Sequence, residues 1–218
     1  MTYAGGGEDV RPFSWTGFYG GLHGGYSTNS IDWANPGTPD QDLDGGIWGV
    51  QVGYQYQLTN RSGLVLGIET DASFGKMRTM VRDGNYITES GEVDALGTLR
   101  LRVGLAAGSF MPYVTAGLLW ARLEQGQICP APAAAPFGFC NTHGPYDVGK
   151  TQINTGWVIG GGFEHAISER WSIKAEGLYG DLGSTKYKLG PDGNGDLLPS
   201  GELSHDMTLL RFGINARF

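Results

Sequence analysis

The chain has 218 residues, 38 of them glycine, and its 15 Lys and Arg against 22 Asp and Glu leave a formal net charge of −7. Glycine at more than twice its usual ~7%, with no Gly-X-Y period, excludes collagen; 11% aromatics argues against a disordered chain, and the acidic balance leaves no electrostatic footprint for nucleic acid. No stretch is apolar over the roughly 18 residues that a transmembrane helix needs.

Residues 1–14 read as a segment preceding the main domain, 15–218. Met1 to Gly7 has neither a basic nor an apolar signal region, which fits either an intracellular chain or the mature form of an exported one. From there the chain alternates at period two, the strand signal. In 15–27, Phe18, Leu22 and Tyr26 oppose Tyr19 and His23; in 47–57, Trp48, Val50, Val52, Tyr54 and Tyr56 oppose glycine and glutamine. In 63–76, Leu64, Leu66, Ile68 and Phe74 oppose Glu69, Asp71 and Ser73; in 93–105, Val93, Ala95, Leu99, Leu101, Val103 and Leu105 oppose Asp94, Thr98, Arg100 and Arg102. Segment 111–124 is the noisiest, with Arg122 and Glu124 in phase with Trp120. Segments 152–164, 171–180 and 209–218 alternate again, their polar faces carrying Glu164, Lys174, Glu176, Arg211 and Arg217.

These are eight expected strands of about ten to fourteen residues, long enough to cross a bilayer at a tilt. Short connections at 58–62, 107–110 and 167–170 alternate with long ones at 28–43, 77–90, 125–150 and 189–204. That rhythm predicts an all-β, eight-stranded antiparallel up-and-down transmembrane β-barrel, with three short periplasmic turns and four longer extracellular loops. The polar face is rich in Gly, Ser, Gln and Asn, as suits a narrow interior rather than a wetted surface. Its charges, Glu69, Asp71, Asp94, Arg100, Arg102, Arg122, Glu124, Glu164, Lys174, Glu176, Arg211 and Arg217, are expected to pair inside the lumen. Trp15, Trp48, Tyr54, Tyr56, Trp120, Trp157 and Trp171 are expected in interfacial girdles.

The stretch from Pro12 through Trp15, Gly17, Phe18 and Tyr19 to Tyr26 resembles the first strand of the outer-membrane β-barrel family of Gram-negative bacteria. That family includes opacity-type proteins and small porin-like surface antigens of alphaproteobacteria. Leu210 to Phe218 resembles its closing strand. The resemblance implies the bacterial outer membrane as location. It also implies outer-membrane lipid, lipopolysaccharide and the barrel-assembly machinery as partners, with Phe218 as the assembly signal. A homo-oligomer or another envelope protein is a further candidate partner. The expectation is a barrel without an OmpA-type peptidoglycan-binding domain after the eighth strand.

Enzyme motifs are lacking: none of HExxH, Walker A, GxSxG or CxxC occurs. Ser204 and His205 are consecutive on a strand and point to opposite faces, so they cannot act as nucleophile and base. A non-enzyme without a cofactor is expected. His23 reads as a hydrogen-bonded lumen residue, or alternatively as a haem ligand. Asp192, Asn194 and Asp196 have the spacing of calcium ligands, but Leu197 replaces the required glycine and Glu202 falls one place short; a polar turn is the other reading. Asp32, Asp40, Asp42 and Asp44 form a second acidic loop. Cys129 and Cys140, eleven apart among Pro, Ala and Gly, suggest a local disulfide shaping a loop tip, the alternative being two free thiols. The functional expectation is a structural barrel with a side-chain-plugged lumen and contact-making outer loops. The alternatives are a narrow porin, or a surface receptor or adhesin.

Overall fold

The computed structural model describes residues 13–33, 41–58, 63–82, 87–131, 134, 138–187, 191–196 and 201–218. Eight strands form: β1 Gly17–Trp33, β2 Gln41–Gln57, β3 Leu64–Arg82, β4 Thr88–Leu105, β5 Phe110–Cys129, β6 Tyr146–Ala166, β7 Trp171–Tyr187 and β8 Gly201–Arg217, with one short helix, α1 Phe139–His143, between β5 and β6. Each strand pairs antiparallel with its sequence neighbours, and β8 closes on β1 in one closed barrel. Closure leaves no sheet edge, so the backbone donors and acceptors are satisfied within the wall.

The strands run 17 to 21 residues, longer than the alternation predicts. The hairpins continue as paired ladders through much of what reads as long loop, because backbone pairing does not require period-two side chains. Three register shifts blur the pattern in the loop-side halves of the strands, between Phe74 and Met77, Val93 and Ala95, and Asp181 and Ser184.

Large apolar side chains face outward around the turn-side half of the wall, among them Phe18, Leu22, Val52, Leu101, Val114, Ile159, Phe212 and Ile214. Trp48, Tyr56, Trp120, Trp157 and Trp171 also face out. Trp15 does not join them. It precedes β1, folds under the turn end of the barrel, and is fully buried there, its indole N–H donating to the Gly108 carbonyl at 3.1 Å. Inside, register gives the larger side chains of β1 a vacant neighbour: Tyr19 lies opposite Gly53 and His23 opposite Gly49. A Cβ on Gly53 would collide with the Tyr19 hydroxyl, and one on Gly49 would sit 2.6 Å from His23 Nε2.

Candidate functional site

The lumen is filled in three layers. At the turn end, Trp15, Val65, Met111, Tyr113 and Ala166 form an apolar floor, with Phe13 and Ala106 against it. Above it lies the charge network. Four cations, Arg100, Arg102, Lys174 and Arg211, meet four anions, Glu69, Asp71, Glu164 and Glu176, all buried. Arg100 Nη1 lies 3.0 Å from Glu176, its Nη2 lies 3.1 Å from Asp71, and it also pairs with Glu69. Arg102 bridges Glu69 at 3.1 Å and Glu164 at 2.9 Å. Lys174 reaches Glu69 at 2.9 Å and Glu176 at 3.3 Å, and Arg211 holds Asp71 at 2.8 Å and Glu176 at 2.7 Å.

Neutral donors complete the set. Tyr19 donates to Glu69 at 2.7 Å, Tyr113 to Glu176 at 3.0 Å, Ser172 to Glu164 at 2.6 Å, and Thr98 to Asp71. Arg102 also lies 3.8 Å from the Tyr113 ring centroid, a cation–π contact. Asn215 donates to Glu164 at 3.0 Å and accepts from Gln51 at 2.6 Å. Balanced charge and nearly complete hydrogen bonding are what allow ions to remain in a desolvated interior.

The third layer is apolar again: Ile47, Met77, Val93, Leu96, Leu119, Leu123, Val158, Leu178, Met207 and Leu209 fill the lumen on the loop side of the network. This layer has no counterpart in the sequence expectation, which assigned one polarity to each face along the whole strand.

Three expected lumen charges are misplaced for that reason. Asp94, Arg122 and Glu124 face outward. Arg122 is 53% exposed and lies 3.3 Å from Asp94, itself 34% exposed. The irregularity at Val93/Ala95 lets Asp94 and Ala95 together oppose Arg122, so Val93 turns in and Asp94 turns out. On β5 the inward set runs unbroken through Leu119, Ala121 and Leu123, which sends Arg122 and Glu124 out with Trp120. Arg217 lies at the turn-end mouth, stacked over Phe13 and Trp15.

His23 is buried, with Nδ1 3.0 Å from Gln51 Oε1 and Nε2 2.8 Å from Ser73 Oγ, so both ring nitrogens are engaged within the protein. At the loop end, Cys129 and Cys140 form a disulfide, buried with Tyr146 and packed by Ile87, Phe139 and Val148. The α1 helix it pins stacks His143 on Phe139 with ring centroids 3.9 Å apart. The β7–β8 connection docks onto it: Gly193 N–H donates to the His143 carbonyl at 2.8 Å, and Asn194 Nδ2 to the Thr142 carbonyl at 2.9 Å. Asp192 Oδ1 accepts the backbone N–H groups of Asn194 and Asp196, each at 2.9 Å, so Asp192, Asn194 and Asp196 build a turn. Among the described residues no group of three or more His, Cys, Asp or Glu side chains converges on a metal position. Asp44 is exposed; Asp40 and the side chains of Asp32, Asp42 and His205 lie outside the described residues. Phe218 faces outward, its N–H donating to the Phe18 carbonyl at 2.9 Å where β8 meets β1.

The family described as outer membrane protein beta-barrel domain matches residues 13–218, nearly the whole chain. The chain belongs to this outer-membrane β-barrel family. It is 32% identical over 189 residues to the 31 kDa outer-membrane immunogenic protein of Brucella melitensis, covering 80% of this chain and 74% of the relative. It is 27% identical over 184 residues to the 25 kDa outer-membrane immunogenic protein of Brucella abortus, covering 83% and 72%. In fold it is similar to the outer membrane protein OprG of Pseudomonas aeruginosa, with a TM-score of 0.54 and 17% identity over 93% of this chain and 96% of that one. The protein is thus an outer-membrane protein. Its short turns, with the apolar floor, face the periplasm, and the disulfide-pinned tip faces outside.

Proposed function

We propose that the protein is a non-catalytic, structural outer-membrane barrel with a closed lumen, whose linked outer connections make contacts at the cell surface or between neighbouring envelope proteins. The layering carries this reading. A neutral ion network between two apolar layers leaves no wetted path of the kind that a porin needs. The titratable side chains of the lumen are committed to one another, which supports a non-catalytic role for the interior. Outside, a disulfide, a helix and a second connection are tied together, and a stiffened surface loses less entropy on binding a partner than a loose one. The Brucella relatives are described as immunogenic outer-membrane proteins, in keeping with an accessible surface. Insertion through recognition of Phe218 by the barrel-assembly machinery belongs to the same reading.

Planar-bilayer recording of the purified protein tests it. No steady unitary conductance is expected from the native chain, whereas large steady channels would replace this reading with the porin one.

A further inference from the structure

At the periplasmic rim, beneath the seam between β7, β8 and the segment before β1, the surface opens into a groove of about 520 Å³. Its polar lining includes Ser14, Glu169, Arg170 and Arg217, and its apolar lining includes Trp171 and Phe218. Arg217 is held in place before anything binds. Its guanidinium lies 4.7 Å from the Phe13 ring centroid and 5.0 Å from that of Trp15, and its Nη2 donates to the Ser14 carbonyl at 2.9 Å. Its other terminal nitrogen, Nη1, is enclosed without an acceptor among the described residues. A second arginine lines the same groove: the Arg217 N–H donates to the Arg170 carbonyl at 2.8 Å, which brings the two backbones together. Trp171 and Phe218 face outward at this rim, 47% and 86% exposed, as aromatic residues at a membrane–water interface do.

Two arginines line this groove, Arg217 with its guanidinium preorganised, and a guanidinium pair matches the oxygens of a phosphate. A carboxylate on the adjacent residue, Glu169, matches an ammonium. We propose that this groove binds a phosphoethanolamine group: the phosphate between Arg170 and Arg217, the ammonium at Glu169, and the acyl chains of the parent phospholipid against Trp171 and Phe218. A trimethylammonium headgroup has no N–H to give Glu169, and a glycerol headgroup has no cation, so the site discriminates by headgroup. The proposal goes beyond the closed-barrel reading and does not depend on it, because the groove lies outside the lumen.

Native mass spectrometry of the full chain in mild detergent, titrated separately with phosphatidylethanolamine, phosphatidylglycerol and phosphatidylcholine, tests the proposal. Phosphatidylethanolamine should be retained about tenfold better than either other lipid. Arg170→Gln should weaken retention of both phosphatidylethanolamine and phosphatidylglycerol by about tenfold, whereas Glu169→Gln should erase only the preference for phosphatidylethanolamine. Both substitutions lie in an exposed turn, and retained heat-modifiable gel migration verifies that the barrel is intact. Soluble O-phosphoethanolamine is the second arm. Failure to displace the lipid at millimolar concentration assigns the site to the membrane, while displacement with the same Arg170 dependence assigns the same chemistry to a soluble source. Equal retention of the three lipids, or native retention in both folded variants, would overturn the proposal.

Discussion

Within the bilayer, the barrel holds Glu69, Arg100, Lys174 and Arg211 inside and presents Leu101, Val114, Ile159 and Phe212 outside. Further along the same strands the arrangement reverses, with Met77, Val93, Leu123 and Met207 inside and Lys76, Asp94, Arg122 and Glu124 outside. The wall is the same hydrogen-bonded ladder in both regions; what changes is the medium around it. Hydrocarbon outside rewards apolar residues on the outer face and leaves the polar ones to pair in the lumen. Water outside makes the hydrophobic effect fill the interior instead, as in a soluble barrel. The comparison teaches that a strand of 17 to 21 residues in this fold carries two opposite patterns end to end.

The largest expected effect is in the network. Glu69→Ala removes the shared partner of Arg100, Arg102 and Lys174. Leaving buried cations uncompensated should cost at least ~3–5 kcal/mol, read from urea unfolding in lipid vesicles. Leu119→Ala, in the apolar layer, should cost about 2–5 kcal/mol in the same assay through the cavity it leaves; a cost near zero would mean that the layer is loosely packed or wetted. Arg122→Ala is the smallest. Its pair with Asp94 is exposed, so the loss should stay within about 1 kcal/mol and shrink further in salt. Arg100→Ala makes the paired control: equal effects of Arg100 and Arg122 would erase the distinction between the two regions.

The membrane-level half was legible in the sequence because lipid outside and a narrow lumen inside enforce strict alternation. Strand number, closure order and the inward set Glu69, Asp71, Arg100, Arg102, Glu164, Lys174, Glu176 and Arg211 all follow from it. The loop-side half was not, for two physical reasons. The medium changes partway along each strand, so a polar residue there no longer marks the lumen. The bulge beside Asp94 also flips the phase with no glycine or proline to announce it. A signal was present in Val158, Leu178 and Leu209, apolar residues in phase with the polar face; they read as noise under a single-polarity rule. Trp15 escaped because it lies before the first strand, where alternation says nothing about direction.

The reversal of polarity is tested most directly by thiol accessibility at three positions of β4 and β5, in a Cys129→Ser, Cys140→Ser background. Single cysteines at Leu101, Leu123 and Glu124 would be exposed to a membrane-impermeant maleimide after insertion in lipid vesicles. The account predicts that the Glu124 position labels rapidly, while the Leu123 and Leu101 positions stay protected until the barrel is unfolded, one by the packed lumen and the other by lipid. Labelling at Leu123 as fast as at Glu124 would contradict it.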